Sequence, residues 1–378
     1  MDPVIVNETE NDGVLSFTLS NTNVSIANAL RRTMLADIPS VVFRTIPYSE
    51  NRVSIDINTS RMNNELLKQR LSCIPIHISD TSFPINNYEV YLNVSNNTDT
   101  IIHVTTKDLQ IKDITTDSFV VEQERDKIFP PNPLTNDYIE IMRLRPKISD
   151  DIPGEQIKFT AKFDFGTANE NGSFNVVSCS TYANTPDPVA IRDNWLAVAS
   201  TLKTQGKTQE QIEFEKKDWM LLTGQRYTKP DSFDFQVETV GQYDNRNIVF
   251  RATHIMLDRI AKFRENIQVT QETVIRPSET TLAHGFDITL ENEGYTLGKA
   301  IEYILYEKHY TEHKGEKTIE YCGFLKPHPH TKHSIIRLGF ISQVDRTIIV
   351  NYIIDACNEL EKIYNIIANA FNDSVTEQ

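Results

Sequence analysis

LSFTLSNTNVSIANALRRTML, residues 15–35, changes its hydrophobic period half-way along. Leu15, Phe17 and Leu19 alternate with polar residues as a half-buried strand does. From Ile26 onward the apolar positions Ile26, Ala29, Leu30, Thr33 and Met34 fall on one face of a helix. A turn containing Asn21 and Asn23 lies between them, Ser25 stands where an N-cap belongs, and Pro39 ends the helix after Asp37 and Ile38. FDITLENEGYTLGKAIEYILY, residues 286–306, reads the same way: a strand, a turn with Asn292, Thr296 at the cap, then Leu297, Ile301 and Leu305 at helical spacing. A strand-turn-helix repeated at opposite ends of one chain points to two related halves that pair. Pairing, rather than catalysis, is therefore the first function to weigh.

Outward from the first copy the texture changes. Short alternating runs at Arg52–Ile57, Tyr88–Val94, Ile101–Thr105, Ile139–Leu144 and Gln156–Phe163 are separated by Asn-, Asp- and Pro-rich loops. These predict a β-rich insert over residues 46–231. One helix is expected inside it, Gln209–Leu222, with Phe214, Trp219 and Leu222 on its apolar side. A strand at Phe233–Val240 precedes a helix near Ile248–Ile267, striped by Val249, Ala252, Met256, Ile260, Phe263 and Ile267. Val269–Ala283, rich in Thr, Glu and Ser, reads as a linker. Beyond the second copy come strands at Ile319–Phe324 and Ser334–Phe340. Last is a helix Arg346–Phe371, capped by Asp345 and striped by Ile349, Ile353, Ala356, Leu360, Ile363 and Ile367.

The predicted class is α+β: two dimerisation domains, each a sheet with long helices, paired within one chain. The first occupies residues 1–45 and 232–270 and is split by the insert; 271–283 is the linker and 284–378 the second domain. Two long helices with full-length apolar stripes need a surface to cover, and the economical one is each other. The residues assigned to this contact are Ile26, Ala29, Leu30, Met34, Met256, Ile260, Phe263, Leu297, Ile301, Leu305, Ile353, Leu360 and Ile363. Each large aliphatic side chain buried there contributes roughly 1.5–3 kcal/mol. A tether makes the encounter intramolecular, at about millimolar effective concentration.

Composition narrows the function. The 378 residues carry a net charge of −14 with 39% hydrophobic content, which supports real cores and argues against broad contact with a phosphate backbone. Cys73, Cys179, Cys322 and Cys357 are scattered without a CxxC pair, as in a reduced intracellular protein. The acidic start MDPVIVNETEND lacks the apolar core of a signal peptide, and no apolar run approaches the roughly 20 residues a membrane span needs.

The stretch Ser25–Pro39 resembles the signature of the alpha-like subunits of cellular RNA polymerases, specifically the D-type, third-largest subunit. Ile57-Asn58-Thr59-Ser60, Asn64–Leu71, Ile74-Pro75-Ile76, Thr106–Leu109 and Phe235–Gly241 are similar to that subunit as well, so the likeness extends over about residues 1–270. Residues 284–378 resemble its smaller L-type, eleventh-subunit partner, through Asn292–Lys299 and through Cys322-Gly323-Phe324 with Pro327-His328-Pro329. The two joined in one chain resemble the arrangement in RNA polymerases of large DNA viruses.

That resemblance implies a non-catalytic platform on which the second-largest and then the largest polymerase subunit assemble, with small zinc-binding N-type and P-type subunits on the same platform. DNA is then met only indirectly. No cofactor is implied, and the location implied is the host cytoplasm or the virion, with the nucleus left open. Arg31 and Arg32 match positions that contact the second-largest subunit, and Asn58, Thr59, Ser60 and Arg70 belong to the same docking set. Many D-type subunits hold a metal on a cysteine cluster in the insert; Asp80–Val104 has no Cys, which leaves such a site without ligands. Tyr295 and Lys299 stand where the L-type pattern has His and Asn.

Rival readings attach to three features. Arg31 and Arg32 also suit a solvated helix face. His309-Tyr310-Thr311-Glu312-His313 spells HxxEH, the pattern of a metal-dependent hydrolase using His309 and His313, at the end of a helix running into Lys314-Gly315. His328, His330 and His333 cluster between strands, where an exposed turn explains them without a metal. A stand-alone protein-interaction module is the remaining alternative.

Overall fold

The structure is a computed structural model that describes residues 2–149, 152–311 and 317–372. In chain order its elements are β1 (Val4–Asn11), β2 (Val14–Ser20), α1 (Val24–Ala36), β3 (Ser40–Val42), β4 (Val53–Asn58), α2 (Asn64–Ser72), β5 (Tyr88–Ser95), β6 (Ile102–Thr105), β7 (Gln110–Asp113), β8 (Ser118–Phe119), α3 (Glu122–Ile128), β9 (Glu140–Leu144) and β10 (Gln156–Lys162). There follow β11 (Asp164–Gly166), β12 (Val177–Pro186), α4 (Pro188–Thr204), α5 (Gln209–Leu221), β13 (Thr228–Thr239), α6 (Asn245–Val269), α7 (Gln271–Val274), β14 (Ile275–Pro277), β15 (Gly285–Leu290), α8 (Tyr295–His309), β16 (Ile319–Leu325), β17 (Ser334–Phe340) and α9 (Arg346–Ala370). The class is α+β, and the β1/β2, β2/β13, β5/β10 and β15/β17 ladders are antiparallel. No described helix is long and apolar enough to cross a membrane.

The chain divides into two compact units. One takes the residues up to Thr33, Cys179–Glu238 and the chain from Asn245 onward; the other takes Met34–Ser178 and Thr239–Asp244. The interruption is therefore shorter than the insert read from sequence, because β12, α4 and α5 fall almost wholly in the first unit.

The first unit contains two four-stranded sheets of matching order, β1-β2-β13-β12 and β14-β15-β17-β16. In each, the strand that leads into the shorter helix lies beside the strand that leads into the long helix. Leu15, Phe17 and Leu19 face Val237, Phe235 and Phe233 across one ladder, and Phe286, Ile288 and Leu290 face Leu338, Ile336 and Ser334 across the other. The likeness extends to single residues. Asn21 and Asn292, each at the strand-helix turn, both adopt φ 57°, a left-handed conformation that Asn tolerates better than most side chains. Ile26, Ala27, Ala29, Leu30, Thr33 and Met34 of α1 are buried, and so, position for position, are Leu297, Gly298, Ala300, Ile301, Ile304 and Leu305 of α8.

Several local details differ from the sequence reading. Asn23, not Ser25, caps α1, its Oδ1 accepting the Ser25 N–H at 2.8 Å. Thr296 does not cap α8; the N-cap position is Gly294, with no side-chain bond. The N-terminal segment forms β1, joined to β2 by an Asp12-Gly13 turn in which both residues have positive φ. The supposed linker contributes α7 and β14, the latter paired with β15 through Ile275, Arg276 and Pro277. On α5 it is Ile212 that is buried, whereas Phe214 and Leu222 are exposed. Trp219 stacks on Tyr227 and meets Trp195 of α4 at a tilt, an association across distant positions that helix periodicity could not reveal.

The second unit is built on the five-stranded sheet β4-β10-β5-β7-β8, with two-stranded ladders β3/β11 and β6/β9 beside it. Its core gathers Phe43, Phe129, Phe159 and Phe163 with Leu67 and Leu71 of α2, all buried. This packing fixes α2 and thereby its exposed face.

Candidate subunit-interaction surfaces

Within the first unit α6 packs along α9, and α8 packs on both. The two long helices run antiparallel. At one end Arg246 donates to the Ala370 carbonyl at 3.0 Å, its guanidinium 5.4 Å over the Phe371 ring; at the other, Arg264 donates to Asn358 Oδ1 at 2.9 Å and Glu361 Oε2 at 2.5 Å. Met256, Ile260 and Phe263 of α6 and Ile353, Leu360 and Ile363 of α9 are all buried. Phe371 meets Phe17 edge-on with ring centroids 4.9 Å apart, so the end of the chain's last helix rests on the first sheet.

Polar contacts within and between the two repeats border this apolar seam. Arg246 pairs with Glu8, Arg259 with Glu293 at 3.4 Å, and Arg32 Nε donates to Thr296 Oγ1 at 3.0 Å. Lys308 of α8 reaches Asp355 and Glu359 of α9 at 2.9 and 3.5 Å. The partners in each pair lie far apart in sequence, which is why no spacing rule could single them out. Burial pushes the Cys322 and Cys357 thiols up to about 12, which keeps them protonated at neutral pH and poor as nucleophiles or metal ligands.

Arg31, half-buried, holds Asn28 Oδ1 through Nε and NH2 at 3.0 and 2.9 Å, and Arg32 is exposed beyond its bond to Thr296. Both lie on α1 in the first unit. Asn58, Thr59, Ser60 and Arg70 belong to the second unit. There Asn58 Nδ2 donates to the Met62 carbonyl and Asn64 Oδ1, each at 2.8 Å, and its Oδ1 accepts from Ser60 Oγ at 2.6 Å. This closes the loop between β4 and α2. Gln156 N–H donates to Thr59 Oγ1 at 2.8 Å, tying the loop to β10. Arg70, exposed on α2, donates to the Glu140 carbonyl at 2.8 Å, so α2 and β9 are bridged beside the same loop.

His309 ends α8 with its ring stacked on Tyr352, centroids 3.8 Å apart. Its buried Nε2 has no hydrogen-bond partner among the described residues, and burial lowers its pKa. Glu312 and His313 lie outside the described residues. His328 and His330 meet edge to face on an exposed turn. Among the described residues no three His, Cys, Asp or Glu side chains are grouped to hold a metal.

Most of the chain up to α6 has a counterpart in known proteins. The RNA polymerase Rpb3/Rpb11 dimerisation domain matches residues 16–260. The chain belongs to this family. Among its relatives, "DNA-directed RNA polymerases IV and V subunit 3B" of Arabidopsis thaliana is 25% identical over 301 residues, covering 67% of this chain and 88% of that protein. "DNA-directed RNA polymerase subunit Rpo3" of Pyrococcus furiosus is 23% identical over 272 residues, covering 67% and 93%. A shorter, stronger likeness of 40% over 70 residues links it to "DNA-directed RNA polymerase II subunit RPB3" of Schizosaccharomyces pombe, over 18% of this chain and 21% of that one. The Rpb3/Rpb11 match holds β2, α1, the second unit and most of α6. It ends before β14–β17, α8 and α9.

Proposed function

We propose that this Rpb3/Rpo3-like chain is a non-catalytic assembly platform of a multisubunit DNA-directed RNA polymerase, carrying a D-type and an L-type module in one polypeptide. The observation that carries this reading is the repeat: two sheets of the same strand order, two short helices with the same buried positions, and one long helix from each laid against the other. A dimerisation domain exposes an apolar helical face for a partner, and here residues 346–370 of the same chain cover it. With the pairing surface covered internally, what remains for neighbours is the outer surface.

On this reading Arg31 and Arg32, with Asn58, Thr59, Ser60 and Arg70, dock the second-largest subunit, on which the largest assembles; small N-type and P-type subunits sit on the same platform. Arginine suits such contacts because its planar guanidinium offers several directed donors to carboxylates and carbonyls. DNA is met through those partners, in keeping with the net charge of −14. A joined D/L chain fits the polymerase of a large DNA virus, working in the host cytoplasm or packaged in the virion. Mass spectrometry of everything retained by a tagged chain tests this. The expected result is a set of polymerase subunits including the second-largest at equal stoichiometry, and a stable complex without polymerase subunits overturns it.

A further inference from the structure

The second unit places an apolar groove against a cluster of arginines. Met62, Leu66, Cys73, Ile74, Ile139 and Ile141 line a groove of about 470 Å³ together with Gln69, Arg70 and Glu140. Leu66 and Ile139 are 53% and 42% exposed, and with the other apolar groups they form one contiguous apolar lining. A neighbouring hollow of about 230 Å³ shares Met62, Arg70 and Glu140 with it and adds Arg61, Arg143 and Arg145.

The carboxylates in this second hollow are already engaged. Glu140 Oε2 lies 2.6 Å from His103 Nδ1 and Oε1 accepts from Arg143 at 2.9 Å; the His103 contact, with Arg143 behind it, holds Glu140 below the usual carboxylate range. Glu155 takes the Arg145 side chain at 2.6 Å and its backbone N–H at 2.8 Å. Arg70 makes its bond to a carbonyl, and neither it nor Arg61 has a carboxylate at ion-pair distance among the described residues. Arg61 acts on Glu155 through charge alone, so in a chain of net charge −14 two guanidiniums held in no ion pair stand beside an apolar groove and specify an occupant that is apolar and acidic. A nucleic-acid backbone has the charge without the apolar groups. Arg61 directly follows the Asn58-Thr59-Ser60 loop, so the groove continues the surface assigned above to docking.

We infer that this groove seats a short segment of the second-largest subunit in which large apolar side chains neighbour Asp or Glu, the apolar groups entering between α2 and β9 and a carboxylate meeting Arg61 and Arg70. The inference rests on the docking role proposed for this face. Cys73 supplies the probe: it lines the groove and is exposed, whereas Cys179 and Cys322 are partly buried and Cys357 is buried. A benzophenone maleimide on Cys73 of the full chain, irradiated after assembly with the second-largest subunit, should cross-link to a segment of that composition. Arg61→Glu with Arg70→Glu should weaken subunit binding roughly tenfold at low salt and less at high salt, and lysine at the cross-linked acidic position should restore it. A cross-link to nucleic acid, to a second copy or to a segment without carboxylates overturns the inference. So does full binding by both Leu66→Asp and the double arginine variant, an outcome that leaves the platform role standing. Failure of the unaltered chain to bind the second-largest subunit removes the platform role itself.

Discussion

Gly298 lies beneath the Phe324 ring: a β-carbon on Gly298 would stand 2.0 Å from Phe324 Cε2. The glycine is thus the means by which α8 approaches β16, and the ring is backed by Tyr295 at 5.0 Å. Gly298→Ala gains about 1 kcal/mol of helix propensity but forces the ring away, and overpacking of this kind costs about 1–3 kcal/mol. The expected outcome in denaturant titration is net destabilisation in the native background and stabilisation in a Phe324→Ala background. Equal effects in the two backgrounds would show that the contact is not what holds the helix.

Leu30 of α1 and Ile301 of α8 occupy the same place in their repeats, and each is fully buried. Leu30→Asp or Ile301→Asp places an unpaired charge in the core and should cost roughly 4 kcal/mol or more. Thermal melts that match the parent for both variants would contradict the packing.

Arg264 and Glu361 join α6 to α9, but their side chains remain 28% and 41% exposed. A pair so wetted couples by roughly 0.5 kcal/mol, most of it screened at high salt. A double-mutant cycle with Arg264→Met and Glu361→Gln at two ionic strengths measures this. Coupling above about 2 kcal/mol would mean that the pair, rather than the apolar seam, registers the helices.

Burial lowers the pKa of both His77 and His309, for His309 against the opposing charge of Asp355. The folded state therefore holds these rings neutral while the unfolded chain protonates near pH 6.5, so the unfolded state binds more protons just below that pH. Stability should be complete above about pH 6.5 and decline as the pH falls below it. Replacing His309 with Gln should flatten part of that decline in denaturation midpoints taken at neutral and mildly acid pH; an unchanged slope would remove His309 as its source.

Arg31→Ala and Arg32→Ala should each lower recovery of the second-largest subunit with a tagged chain while leaving the melt nearly unchanged, since Arg32 makes one exposed bond and Arg31 bonds within its own helix. Full recovery with both would take these residues out of the docking surface.

Much of the architecture was legible because hydrophobic period reports directly on local geometry. The strand Ser334–Phe340 and the start of the last helix at Arg346 coincide with the sequence reading, as do β4, β5, β6, β9 and β10 to within a residue or two, whereas the short strands β3, β7, β8 and β11 went unread. β1 escaped because Val4–Asn11 is an edge strand exposed along most of its length and so lacks alternation. β14 escaped because three residues ending in proline carry no period at all. The aromatic cluster of Trp195, Trp219 and Tyr227, and the pairing of Arg264 with Glu361, are products of tertiary folding between segments that share no local pattern. The groove beside Arg70 was invisible for the same reason: Leu66 and Ile139 meet only once α2 has been placed against β9.

The antiparallel embrace of α6 and α9 takes place inside one polypeptide. Its formation is a first-order event, so dilution cannot separate the two helices and neither can be made in excess of the other. Specificity that separate subunits must encode in their surfaces is here secured by covalent connection.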